Sequence, residues 1–181
     1  MHSTESFKAL PAFARSVFDR LYNQYFFTDQ NNLWQAEGIK KLNALKSTTD
    51  MLLCAEDLGM VPEFIDRVLD ELGILSLKVQ RMPKEASDLF SDPANAPYMS
   101  VVTTATHDMG TMREWWETER DHIQHFFNKV LGHYGGAPFY CEPWVARDII
   151  NQHLQSPAMW AVFLLQDLLA ADGNLRFQNP E

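Results

Sequence analysis

Two acidic residues, Glu56 and Asp108, each stand just past a short apolar run. Glu56 follows Met51-Leu52-Leu53-Cys54-Ala55, and Asp108 follows the Val- and Thr-rich stretch from Met99 to His107. In a chain that alternates strands with helices, a carboxylate at the C-terminal end of a buried strand sits where α/β barrels keep their chemistry. The chemistry such a group offers is proton transfer and stabilisation of developing positive charge. A single acid there is commonplace, because Asp and Glu also cap helices and line turns. Two of them, in Cys54-Ala-Glu-Asp-Leu-Gly59 and Ala105-Thr-His-Asp108, form a much more specific signal.

Other chemical candidates carry less weight. His122 and His125 could meet His133 or Asp121 on a metal, but no carboxylate stands at firm ligand spacing, and an exposed helix face accounts for them better. No metal and no cofactor is expected. The glycines Gly132, Gly135 and Gly136 neither follow a strand nor precede a lysine, so they make no phosphate loop. Lys78 lies inside a strand, where hydrogen bonding in a barrel interior is the simpler role. Trp115, Trp116 and Trp144 offer flat faces to a ligand, although core packing accounts for at least two of them.

The elements that must position the acids follow from hydrophobic periodicity. Phe13, Val17, Phe18, Leu21, Tyr22, Tyr25 and Phe26 recur at helical spacing as a wide apolar stripe, and a second helix is expected over about 33–45. The run 51–55 is too short for a helix and reads as a buried strand that holds Cys54 as a small hydrophobe. Pro62 opens a helix that Gly73 closes, with Ile65, Val68, Leu69 and Leu72 on its buried face. Strands are expected at about 51–56, 74–80, 98–105 and 159–165. Residues 82–97, with three prolines, read as a long ordered loop. Helices are expected at about 111–117 and 119–131, and from Pro143 to Leu154. Four strands alternating with helices predict parallel pairing through right-handed crossovers. The distance along the chain from Glu56 to Asp108 accommodates two βα units of roughly 31 residues each. Four such units make half of an eight-stranded barrel.

Bulk properties narrow the partners. The formal charge of −9, with no basic cluster, argues against nucleic acid and anionic membranes, both of which need concentrated Lys and Arg. A neutral substrate is compatible with it. No apolar run approaches the roughly 18–20 residues that span a bilayer. The two cysteines have no metal-ligand spacing, and a reducing, cytoplasmic setting is the simpler expectation.

Three blocks now combine: Cys54-Ala-Glu-Asp-Leu-Gly-Met-Val-Pro62, Leu75-Ser-Leu-Lys-Val-Gln-Arg-Met-Pro83 and Val101-Val-Thr-Thr-Ala-Thr-His-Asp-Met109. In that order they resemble the 4-α-glucanotransferases (amylomaltases, glycoside hydrolase family 77), particularly the branch with the plant cytosolic disproportionating enzyme. The stretch from Cys141 to Trp160 and the run Gln166-Asp167-Leu168-Leu169 resemble the same branch. The resemblance implies that 1–181 is the C-terminal part, strands five to eight, of a (β/α)8 barrel with no second domain. It implies retaining transfer of glucosyl or maltosyl units between α-1,4-glucans, with maltooligosaccharides and α-glucans as partners. Glu56 matches the general acid/base. Asp108 matches the acid that holds sugar hydroxyls and stabilises the transition state, His107 a sugar-binding histidine, and Asp57 a position lining the donor site. Met109 departs from the Asn found in many amylomaltases but suits the disproportionating branch.

The family's nucleophile is an Asp in an Arg-x-Asp motif on a strand upstream of these blocks. Arg120-Asp121 and Arg147-Asp148 fall in expected helices, so the chain holds two of three catalytic acids. Alone it is expected to be inactive, binding oligosaccharide weakly at most. Its first and last strands are expected to expose apolar edges that promote self-association. A hydrolase of the wider α-amylase clan fits less well, because the 74–83 block speaks against it.

Overall fold

The structure, a computed structural model, describes residues 2–56, 58–59, 61–84 and 87–177. The chain divides into two compact units: Met1–Met51 with Met60–Leu72, and Leu52–Gly59 with Gly73–Glu181.

The first unit is helical. A short helix α1 (Glu5–Lys8) is capped by the Thr4 hydroxyl, which accepts from the Phe7 amide. Helix α2 (Ala12–Gln24) starts behind Pro11 and runs into a π-helical turn over Tyr25–Asp29, and α3 (Asn31–Lys46) follows. Helix α4 (Ile65–Leu72) buries Val68, Leu69 and Leu72, three of the four residues its periodicity assigns to its inner face, and leaves Ile65 half-buried. Lys46 donates to the Leu72 carbonyl and Arg67 donates to Gln35 at 3.1 Å, tying α3 to α4. The aromatic stripe of α2 is present, but neither α2 nor α3 buries a residue, so Phe13, Phe18, Leu21 and Tyr25 remain exposed.

The second unit holds the sheet. Strands β1 (Cys54–Ala55), β2 (Leu75–Val79), β3 (Ser100–Thr103) and β4 (Trp160–Val162) lie in the order β1-β2-β3-β4, every pair parallel. Sequential neighbours paired in parallel require crossovers, as the alternating pattern predicts. Four parallel strands with flanking helices are the α/β arrangement expected of half a (β/α)8 barrel. β3 is buried along its whole length, as a central parallel strand should be.

The outer strands β1 and β4 expose apolar residues, as expected of the first and last strands, but their extents and the burial of β1 differ from the sequence reading. β1 is shorter than 51–56 and is no buried strand: Met51 is 73% exposed, and the Cys54 thiol is exposed rather than serving as a small core hydrophobe. An outer strand has a neighbour on one side only, so its apolar run does not guarantee burial. At the other edge Trp160 and Val162 are 55% and 53% exposed. Of the fourth expected strand, 159–165, only Trp160–Val162 pairs, and helix α8 (Leu165–Ala170) begins at its end.

The helices α5 (Met112–Thr118), α6 (Arg120–His125), a π-helical turn (Phe126–Val130), α7 (Pro143–Leu154) and α8 build the core. Met112, Trp115, Trp116, Ile123, Phe126, Phe127, Cys141, Val145, Ala146, Ile149, Ile150 and Ala170 form one buried cluster. Trp116 also donates its indole N–H to the Pro138 carbonyl at 3.0 Å, satisfying the polar end of a fully buried ring. Trp115 and Trp116 are therefore core residues, while Trp144 is partly exposed with its ring edge-on to His133, 5.1 Å between centroids. After the last helical turns of α4 and the 126–130 segment, Gly73 and Gly132 take φ of 62° and 73°. That left-handed conformation ends a helix at little cost only for glycine.

Candidate active site

The strands place the two sequence-nominated acids on one edge. Glu56 is the residue after β1, and Asp108 follows β3 by a short turn; because β1, β2 and β3 are parallel, both lie beyond C-terminal strand ends. One strand intervenes, which puts the strand axes about 10 Å apart at roughly 4.8 Å per spacing. Both side chains are exposed. Asp57 lies outside the described residues.

The segment after β3 has a defined course. The Thr103 hydroxyl donates to the Ala105 carbonyl at 2.8 Å, the Asp108 amide donates to the Thr106 hydroxyl at 3.3 Å, and the Met109 amide closes a turn onto the Thr106 carbonyl at 3.2 Å. This turn lifts His107 and Asp108 off the sheet edge into solvent, with side chains 81% and 70% exposed and His107 Nε2 3.3 Å from Asp108 Oδ1. Beyond it, the Thr111 hydroxyl accepts from the Glu114 amide at 3.1 Å and starts α5. Gly110 lets the Glu114 carboxylate fold back over the backbone, into space a Cβ would occupy.

A cleft of about 490 Å³ opens beside Asp108, its walls including Arg81, Phe90, Trp115, Glu119 and His122. Arg81 is held at two points and against a ring. The guanidinium donates to the Thr104 carbonyl at 3.1 Å and the Gly110 carbonyl at 2.7 Å, and it lies 5.2 Å from the Trp115 ring centroid. Burial pushes Arg81 below the usual arginine range, opposed first by the charge of Asp167 and then by Glu119 and Glu114.

Asp167 is fully buried and accepts from the Thr104 hydroxyl at 2.5 Å and the Met112 amide at 2.8 Å. Sequence reasoning gave neither Arg81 nor Asp167 a role. For Asp167 the available signal was close to the one used for Glu56, an acid two residues past an apolar run, here Trp160 to Leu165.

The remaining candidates fall where the sequence put them. His122 and His125 are exposed on α6, His125 stacking on Phe90 with centroids 6.4 Å apart. His133 pairs with Asp148 at 2.7 Å. Asp121 lies in α6 and Asp148 in α7, so neither Arg-Asp pair stands at a strand end. Among the described residues no group of three or more His, Cys, Asp or Glu side chains could hold a metal ion, and no helix is long and apolar enough to cross a membrane.

A parallel α/β sheet with exposed carboxylates beyond its C-terminal strand ends, one of them on a cleft, has the layout of a barrel enzyme. The family model described as 4-alpha-glucanotransferase, glycoside hydrolase family 77, matches residues 5–181, and the chain belongs to that family. Among curated relatives it is 41% identical over 167 residues to the 4-alpha-glucanotransferase DPE2 of Oryza sativa subsp. japonica, covering 92% of this chain and 18% of the rice protein. It is 28% identical over 135 residues to the 4-alpha-glucanotransferase of Thermus thermophilus, covering 70% of this chain and 26% of that protein. The chain thus spans about a fifth to a quarter of the length of these relatives. The fold is similar to that of an amylomaltase from Streptococcus agalactiae solved in complex with acarbose. That match has a TM-score of 0.54 and 18% identity, covering 76% of this chain and 27% of the other.

Proposed function

We propose that the protein carrying this chain is a retaining 4-α-glucanotransferase that moves glucosyl or maltosyl units between α-1,4-glucans, with residues 1–181 forming part of its catalytic barrel. Glu56 donates a proton to the glycosidic oxygen as the bond to the leaving glucan breaks. An aspartate outside this chain attacks the anomeric carbon and forms the glycosyl-enzyme. Glu56, now a carboxylate, removes the proton from the acceptor hydroxyl as that oxygen displaces the enzyme. Asp108 binds sugar hydroxyls and stabilises the oxocarbenium-like centre, His107 binds sugar beside it, and Asp57 lines the donor site.

The observation that supports this most is the shared edge: Glu56 and Asp108 follow parallel strands that lie one strand apart. Cys54 and Cys141 carry thiols rather than a disulfide, which fits a reducing compartment, and we assign the reaction to the cytoplasm. The test is product analysis with maltotriose. The full-length protein is expected to release glucose while building longer glucans; hydrolysis without elongation would rule out the transferase.

A second reading concerns the chain by itself, as an inactive piece that binds oligosaccharide weakly. Its support is the open sheet, whose outer strands β1 and β4 have one neighbour each among the described residues. Disproportionation of maltotriose by the 181-residue chain at the rate of the full-length protein would overturn it.

A further inference from the structure

We propose that Arg81 and Asp167 are positioning residues that together clamp the turn carrying His107 and Asp108. The turn leaves the sheet at Thr104 and returns at Gly110 to Met112. Arg81 holds both ends through their carbonyls, with Nε on Thr104 and Nη2 on Gly110. Asp167 holds both ends through their donors, with Oδ2 on the Thr104 hydroxyl and Oδ1 on the Met112 amide. One cation and one anion therefore close the same short loop twice, from residues on β2's end and on α8. The guanidinium suits this task because its fork fixes the angle between two donors, and the Trp115 face beneath it removes freedom to swing. Asp167 carries no solvent exposure, so its charge is directed into these contacts and toward Arg81.

The consequence concerns Asp108. Its side chain is exposed, and the backbone contacts made from within its own turn are short-range ones to Thr106. An exposed carboxylate that must meet a transition state needs its backbone fixed from outside, since a displacement of about 1 Å can cost about 100-fold in rate. The clamp supplies that fixing without touching substrate. This inference rests on the transferase reading for its effect on turnover, but not for its effect on the turn.

The experiment uses Arg81→Lys and Asp167→Asn, with Arg113→Lys as control, because Arg113, its side chain 14% exposed, pairs with Glu117 at 3.0 Å and holds no part of the turn. Lysine keeps the charge but presents one nitrogen and cannot span two carbonyls. Methyl-labelled methionine provides the readout in the 181-residue chain, since Met109 and Met112 lie in the clamped segment and Met159 lies far along the sequence. In both clamp variants the Met109 resonance is expected to move to the random-coil position while Met159 stays, and the control should leave both unmoved. In the full-length protein kcat for maltotriose should fall about 100-fold with KM within about twofold. An unmoved Met109 resonance in Arg81→Lys overturns the clamp, as does collapse of all methionine resonances together, which marks a general structural role. If Asp167→Asn fails to fold, Arg81→Lys decides alone. Movement of Met109 in a wild-type background that transfers no glucosyl units would refute the transferase reading and leave the clamp standing.

Discussion

Replacing Thr104 by valine tests the buried contact under the candidate site. Thr104 and Asp167 are both buried, and the hydroxyl donates to Oδ2 at 2.5 Å while Oδ1 accepts from the Met112 amide. Valine matches threonine in shape and puts a methyl where the hydroxyl was, so Oδ2 loses its donor in a buried site. A hydrogen bond to a charged group contributes about 1.5–3 kcal/mol, and stranding its buried partner keeps the loss near the upper end. Thr104→Val should therefore lower stability by about 2–3 kcal/mol. For a chain of this size that is a fall in Tm of about 4–12 °C, taking about 2–4 °C per kcal/mol. Thr104→Ser keeps the hydroxyl and gives up a methyl, at a cost of about 1 kcal/mol. The order is the diagnostic feature, because packing alone would rank valine above serine. Urea unfolding followed by tryptophan fluorescence measures both, and a double-mutant cycle with Asp167→Asn isolates the coupling. A Thr104→Val protein as stable as Thr104→Ser, or a coupling below about 0.5 kcal/mol, would refute the reasoning.

Other consequences are open to direct measurement. Burial, reinforced by the charges of Glu117 and Asp167, pushes the Cys141 thiol up to about 12. Three units above the ordinary value mean about 1000-fold less thiolate at a given pH, so iodoacetamide should modify exposed Cys54 while leaving Cys141 intact until the chain unfolds. Burial holds His153 below the usual histidine range, against the Ile149 carbonyl it contacts at 2.8 Å. The unfolded chain then binds that proton more readily, so stability is full above the unfolded value of about 6.5 and is lost as pH falls below it. The difference in urea midpoint between wild type and His153→Leu should accordingly change between pH 7.5 and 5.5, and a constant difference would contradict the assignment. The apolar outer strands should drive the 181-residue chain to associate, and a monodisperse monomer in sedimentation would contradict this.

Much of the sheet was legible because a central parallel strand carries apolar, β-branched residues on both faces, as Val101 and Val102 do within the fully buried Ser100 to Thr103. The same logic misjudged Met51 to Cys54, because apolar character records what a strand packs against in a complete sheet, and among the described residues β1 has one neighbour. Glu56 and Asp108 stood out because their chemistry is local, a carboxylate at the end of a short run. Arg81 and Asp167 did not, since their roles are defined by partners distant in sequence: Asp167 meets Thr104 and Met112 across 63 and 55 positions, and no periodicity encodes such pairs. The short helices α5 and α6 were separable in sequence, and the break falls at Glu119, whose backbone leaves the helical region at ψ 60°.

The central claim is that Glu56 is the proton donor and acceptor of a glucanotransferase. Its most direct test compares wild-type and Glu56→Gln full-length protein on two donors: maltotriose, and a maltosyl donor with a good leaving group. Glutamine keeps the shape and hydrogen bonds but cannot protonate the departing oxygen. Transfer from maltotriose should drop by several orders of magnitude with binding retained, while formation of the glycosyl-enzyme from the activated donor should fall far less. Near-normal transfer from maltotriose by Glu56→Gln would remove Glu56 as the acid and contradict the assignment built on it.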